Sequence, residues 1–300
     1  MTEFFEKKTL EKIKDNETGI HEIRNFISKD DCTEILEYFR NLKNKSLGKS
    51  QSIDREESTK IFFDFSYDEK LKKLKKKIEE AVGEFFVNDF QPHIITSRYP
   101  LRLHADTGKN PKDIIFKNIV IPLEIVYDQN SQNQLPPNTI IFKNKWYGPS
   151  ALFTKHANQN YDFIIKDING KFVDIINIHH FYDKIKNCND EKFEYKKNIF
   201  KTSEKFKTYV KSLTQAKRYN TRTDKHILSE IDFNKNEYDK YMSHQPFEDC
   251  KGLVLDKAVK WELGKLIYWD RCRIHSSDNF LNNGVLYKTP LALFTSKNKI

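Results

Sequence analysis

At 300 residues, 38% hydrophobic and 13% aromatic, the chain carries enough apolar material for one large folded domain or two modest ones, which excludes a disordered or low-complexity protein. There is no run of roughly eighteen apolar residues, and the opening MTEFFEKKTLEK mixes acids with bases and has no apolar leader core, so a cytoplasmic protein without membrane spans is expected. The formal charge of +9 is local, because residues 183–225 hold 13 Lys and Arg against 6 Asp and Glu.

In chain order, the first 90 residues read as mainly helical. IRNFISKDDCTEILEYFRNL predicts a short strand and then a helix capped at Ser28, with Asp31 completing a capping box and Ile35, Leu36, Phe39 and Leu42 forming the apolar stripe. A second helix is predicted over DEKLKKLKKKIEEAVGEFF, with Leu71, Leu74, Ile78, Ala81, Val82 and Phe85 on one face and the lysines solvated on the other. After residue 90 the pattern becomes extended: HIITSRYPLRLHADTG, FKNIVIPLEIVYD and NTIIFKN read as successive strands.

A lysine-rich region over 148–245, containing SEKFKTYVKSLTQAKRY, reads as a helical insertion and is expected to fold as a lid. Strand pattern returns as KGLVLD, WELGKLIYWDRCRIHSS and GVLYKTPLALFTS. With no internal repeat and no low-complexity linker, residues 1–300 are read as a single domain with an elaborated loop. Cys32, Cys188, Cys250 and Cys272 have no CxxC spacing, which argues for free thiols rather than a zinc site or a disulfide framework.

The chemistry is concentrated in RLHADTG. Residues i and i+2 of a strand share a face, so His104 and Asp106 project together while Ala105 faces away, the arrangement of two ligands on one metal. His104 is the only histidine in an H-x-D or H-x-E pattern; the pattern alone is common, and a second histidine, His275, followed thirteen positions later by Lys288, gives it context. His179 and His180 are adjacent, face opposite ways on a strand and have no suitably spaced carboxylate, so they are not read as a second site.

This order of H-x-D pair, distant histidine and late basic residue resembles the Fe(II)- and 2-oxoglutarate-dependent dioxygenases, over residues 20–147 and 250–296, and NFISKDDCTEIL resembles the lead-in of prolyl 4-hydroxylase-like members. The resemblance implies a mainly β fold with flanking helices, a double-stranded β-helix of the jelly-roll, cupin-like kind. It implies that His104, Asp106 and His275 bind Fe(II), leaving positions for 2-oxoglutarate and O2. It makes Lys288 the counter-ion of the remote carboxylate of 2-oxoglutarate, with the Tyr99 hydroxyl beside it. Arg271 and Arg273, which share the parity of His275 on a regular strand, are competing cations.

The expected reaction is hydroxylation of an unactivated C–H bond of a peptidyl or free amino-acid side chain. Two alternatives stay open: oxidation or demethylation of a nucleic-acid base, suggested by the basic insert, and a non-enzymatic jelly-roll binding module.

Overall fold

The computed structural model describes residues 4–44, 58–88, 92–155 and 221–300, together with short strands at 52–54, 164–166, 172–174, 193–195, 198–200 and 214–217. Helices α1 (Lys7–Asp15), α2 (Lys29–Asn44) and α3 (Glu69–Val82) precede the main strands. At the start of α2 the Ser28 and Asp31 side chains exchange hydrogen bonds: Asp31 Oδ2 accepts from the Ser28 backbone N–H at 2.9 Å, and Ser28 Oγ accepts from that of Asp31 at 3.0 Å. Two N–H groups that the first helical turn leaves unpaired are thereby satisfied.

The first strands are β1 (Ile20–Ile23), β2 (Ser52–Asp54), β3 (Ser58–Phe62), β4 (His93–Ser97), β5 (His104–Ala105), β6 (Ile115–Tyr127), β7 (Asn138–Lys145) and β8 (Ala151–Phe153). Between 159 and 222 lie β9 (Ile164–Lys166), β10 (Phe172–Asp174), β11 (Phe193–Tyr195), β12 (Asn198–Phe200) and β13 (Thr214–Lys217). The last are β14 (Thr221–Thr223), β15 (Leu255–Lys260), β16 (Leu266–Asp270), β17 (Arg273–Ser277) and β18 (Val285–Ser296). A seven-stranded sheet has the order β1-β16-β6-β18-β4-β3-β2, and a six-stranded sheet the order β14-β8-β5-β17-β7-β15. From β4 to β7 and from β15 to β18 the chain passes alternately between the two sheets through antiparallel pairings, which is the jelly-roll connection.

Alternation along each strand decides what faces where. One face of the seven-stranded sheet presents Ile61, Ile94, Ile119, Ile121, Leu291 and Leu293 to Leu36, Phe39, Leu74 and Ile78 of α2 and α3. Its other face sends Ile267 and Trp269 toward Ile141 and Val259 of the six-stranded sheet, closing the space between the sheets. The outer face of the six-stranded sheet is covered by Phe233, Met242, Cys250 and Leu253 over Leu103, Ala105, Ile140, Phe142 and Ile274.

Two compact units result, residues 1–158 with 223–300, and residues 159–222. The separate unit is shorter than the 148–245 insertion read from the sequence, because β8 joins the six-stranded sheet and Phe233 and Met242 join its outer core. The elements described within 159–222 are strands, β9 with β10 and β13 in one sheet and β11 with β12 in a hairpin. Apart from Thr214–Lys217, the segment SEKFKTYVKSLTQAKRY lies outside the described residues, as do His179, His180 and Cys188. Cys32, Cys250 and Cys272 are free and buried. No helix among the described residues is long and apolar enough to cross a membrane.

Candidate metal centre

WELGKLIYWDRCRIHSS does not form one strand. It breaks at Arg271 and Cys272, and the break moves the chain from β16 in the seven-stranded sheet to β17 in the six-stranded one. That crossing sets His275 directly opposite His104 in an antiparallel pair, so the two imidazoles share a face with ring centroids 4.1 Å apart. Asp106 follows β5 by one residue and turns its carboxylate to the same point: Oδ2 lies 3.6 Å from His104 Nε2 and 3.1 Å from His275 Nε2.

The other ring nitrogens fix the tautomers. His104 Nδ1 lies 2.6 Å from the Arg102 carbonyl and His275 Nδ1 lies 3.0 Å from the Arg273 carbonyl, and since a carbonyl only accepts, each Nδ1 must donate. In the neutral rings both Nε2 atoms then carry lone pairs, aimed at a carboxylate oxygen that is buried and finds no hydrogen-bond donor. Although 3.1 Å is a hydrogen-bond distance, no proton is left on a neutral His275 Nε2 to make that bond. Two lone pairs and an anion directed at one point are a donor set that could hold a cation. His104, Asp106 and His275 form the one group of three such ligands among the described residues, their ligating atoms all within 4.8 Å of one another.

Electrostatics favour a neutral His104 and an ionised Asp106. Burial, reinforced by the neighbouring His275, pulls the His104 imidazole down to about 4, so it is neutral at physiological pH. Burial alone would raise the Asp106 carboxyl, but positive charge at this point, from the imidazoles when protonated and from Lys60 of β3, holds it well below the usual carboxylate range.

The remaining sequence-predicted residues separate clearly. Lys288 on β18 is 3% exposed, its Nζ 4.1 Å from the centroid of the Trp261 ring and 4.9 Å from that of Phe280. Among the described residues it has no hydrogen bond and no ion pair, and burial lowers it to about 8, with Asp278 opposing the shift. The sheet register puts buried Ser97 of β4 directly opposite it. Tyr99 is 48% exposed with no hydrogen bond among the described residues; the hydroxyl that the fold brings beside Lys288 is that of Ser97.

Both competing arginines are committed elsewhere. Arg273 pairs with Asp256 and lies 3.6 Å from Asp270. Arg271, in the turn between β16 and β17, is fully buried; its Nε donates to the Asp106 carbonyl at 2.7 Å, and its Nη1 donates to the Thr295 carbonyl at 3.1 Å and to Ser296 Oγ at 3.2 Å and sits 3.5 Å from Asp113. It therefore fixes the backbone of a site residue. Arg271→Met is expected to destabilise the fold by about 3–5 kcal/mol, because it strands the buried Asp113 charge. A urea midpoint equal to that of the wild type would show the contact to be dispensable.

Several inward-facing residues went unnoticed in the sequence, among them Ser97, Asn118 and Trp269. Asn118 carried a readable signal, the one carboxamide in the mainly apolar β6, next to Lys117.

No protein-family model and no curated protein matches the sequence. Among solved structures, the chain is similar to the non-heme alpha ketoglutarate dependent carbocyclase SnoK of nogalamycin biosynthesis, at 10% identity and a TM-score of 0.41, over 98% of this chain and 86% of that one. It is similar to the epimerase SnoN, solved with Fe3+, alpha ketoglutarate and nogalamycin RO, at 9% identity and a TM-score of 0.40, over 96% and 84% of the two chains. It is also similar to EctD from S. alaskensis in its apoform, at 9% identity and a TM-score of 0.41, over 98% and 78%.

Proposed function

We propose that the protein is an Fe(II)- and 2-oxoglutarate-dependent oxygenase that hydroxylates an unactivated C–H bond, with a peptidyl or free amino-acid side chain as the substrate class. The observation that carries the reading is the convergence of two histidine Nε2 atoms and the unpartnered Asp106 oxygen on one buried point, with a buried lysine that makes no hydrogen bond or ion pair among the described residues facing the same interior. Two imidazoles and one carboxylate are the donor set that suits Fe(II) and leaves further coordination positions open. Lys288 supplies the charge that a dicarboxylic oxo acid needs when its remote carboxylate is buried.

When bound, Fe(II) supplies activation of O2, coupled to oxidative decarboxylation of 2-oxoglutarate to succinate and CO2. The protein's part is positional. The Arg102 and Arg273 carbonyls orient the two imidazoles, Arg271 fixes the Asp106 backbone, and Trp269 packs against His275 with ring centroids 5.0 Å apart. The amino-acid assignment draws on the resemblance of NFISKDDCTEIL to prolyl 4-hydroxylase-like lead-ins. Oxidation of a nucleic-acid base draws only on the charge of 183–225, where Lys205, Lys207 and Arg218 lie outside the described residues.

The test is spectroscopic. Under anaerobic conditions the protein with Fe(II) should develop a weak visible charge-transfer absorption when 2-oxoglutarate is added, and in air it should form succinate slowly without a substrate. A protein that binds iron but gives neither signal is a binding module, and the oxygenase reading falls.

A pH dependence follows from Lys288. The anion binds the charged ammonium, and in the ligand-free protein that ammonium deprotonates near 8. Affinity for 2-oxoglutarate should therefore be full below about pH 8 and fall as pH rises, approaching about tenfold per unit well above it. Lys288→Arg should flatten the profile, since arginine keeps its charge. A wild-type affinity constant from pH 7 to 10 would remove Lys288 from the binding site.

A further inference from the structure

Asp278, the residue after β17, and Lys288 are buried charges of opposite sign in one cluster, and no ion pair joins them among the described residues. The Asp278 side chain is 1% exposed. Its Oδ2 accepts from the side-chain amides of Asn138 at 2.9 Å and of Asn283 at 3.1 Å, while its Oδ1 is buried and has no hydrogen-bond partner. Shared neighbours tie the two charges together. Phe280, two residues beyond Asp278, lies against the Lys288 ammonium, and so does Trp261, whose indole N–H donates at 2.8 Å to Thr139, next to Asn138.

A buried carboxylate oxygen without a donor is costly, and in binding sites a bound molecule completes such groups. Charge balance says how. The cluster by itself carries one positive and one negative charge, and a carboxylate received by Lys288 brings a second negative charge beside Asp278. Two carboxylates in one buried site do not both stay ionised, and the one that ionises less readily takes a proton. That one is Asp278, whose carboxyl is raised by burial, with Lys288 opposing the shift. Lys288 is the charged group that acts most on it; Asn138 of β7 and Asn283 of the turn before β18 are neutral. His244, the further titratable group that acts on Lys288, is pulled down to about 4 by burial and is neutral as well. Because Oδ2 already accepts two amide hydrogens, the proton belongs on Oδ1, from which a neutral acid can donate.

We propose that co-substrate binding is coupled to proton uptake at Asp278: when the remote carboxylate of 2-oxoglutarate pairs with Lys288, one proton from solvent settles on Asp278 Oδ1, which donates it as a hydrogen bond to that carboxylate. This rests on the oxygenase reading above. The dianion and one proton enter together, no other bond is made or broken, and the cluster keeps zero net charge: one ammonium, one carboxylate and one neutral acid. Asp278 is a recognition group for the co-substrate and not a metal ligand. As far as Lys288 is concerned, affinity is full below about pH 8; Asp278 adds a further gain as pH falls, up to about tenfold per unit between its titration in the free protein and its higher one in the complex.

The test counts protons. The Fe(II)-loaded protein is titrated anaerobically with 2-oxoglutarate in a calorimeter, in buffers of different ionisation heat at about pH 6, where Lys288 is charged with or without the ligand and contributes nothing to the count. The wild type should take up about half a proton or more. Asp278→Asn, whose amide oxygen can still accept from the neighbouring amides and whose NH2 stands in for the acid as donor, should take up none and bind 2-oxoglutarate with an affinity that no longer changes between about pH 5 and 7. Wild-type binding without proton uptake overturns the proposal, and no variant is needed to see it. So does an Asp278→Asn protein that takes up as many protons as the wild type. A wild-type protein with neither binding heat nor absorption on adding 2-oxoglutarate defeats the oxygenase reading and this inference together, whereas normal absorption without uptake defeats this inference alone.

Discussion

Asp106→Ala is expected to abolish iron retention while leaving the fold intact. Its carboxylate oxygen is the one anionic donor facing the two Nε2 atoms, and without it a labile divalent ion has two neutral anchors and no charge neutralisation. Fold stability should survive because Arg271 holds residue 106 through its backbone carbonyl, which the substitution keeps. Removing an outer partner of a metal ligand already costs about 10- to 100-fold in affinity, so loss of a ligand should exceed that range.

The measurement is iron per chain after anaerobic loading and desalting, with circular dichroism as the control for folding. Iron at a hundred times its Kd should also stabilise the wild type by about 2.7 kcal/mol and give the variant no such gain. His104→Ala and His275→Ala should behave alike. Wild-type iron content in Asp106→Ala would place the metal elsewhere.

The second large effect is expected of Lys288→Met. The lysine is buried with two aromatic rings for neighbours and no ion pair, so the carboxylate it would receive is equally buried and has no other cation committed to it. Deleting one partner of such a pair costs on the order of 2–5 kcal/mol, which is roughly thirtyfold or more in the Kd for 2-oxoglutarate. Iron affinity should be unaffected, because Lys288 is not among the residues that converge on the metal point. Arg273→Met is the control, as its guanidinium is engaged with Asp256 and Asp270. An unaltered Kd in Lys288→Met together with a large rise in Arg273→Met would move the anchor to β17.

Asn118 shows most plainly how legibility varies along this chain. As the one carboxamide in FKNIVIPLEIV it is visible in the sequence; that its two neighbours across the ladder are Trp269 and Phe294 is not. Tyr99 shows the opposite error. Nearness in sequence to His104 made it a candidate hydroxyl for Lys288, but the chain turns between β4 and β5 and leaves Tyr99 exposed, while antiparallel pairing brings Ser97 opposite the lysine. Arg271 and Arg273 share the parity of His275 only on an unbroken strand, and the chain changes sheets at Arg271 and Cys272, between β16 and β17.

The sequence by itself determined what local physics controls: the capped helix at Ser28, the apolar face of α3, the strand over 115–127, and the shared face of His104 and Asp106, each a matter of periodicity or of neighbouring side chains and backbone. Only the tertiary structure decided what depends on strand order and register. It set His275 against His104, turned both Nε2 atoms toward Asp106, buried Lys288 against the Trp261 and Phe280 rings and tied Arg271 to the backbone. It also grouped residues 159–222 as a separate compact unit. The physical reason is that pairing joins residues up to 171 positions apart, as with His104 and His275, and the free energy that selects one register is spread over both sheets and their shared core rather than written in any short segment.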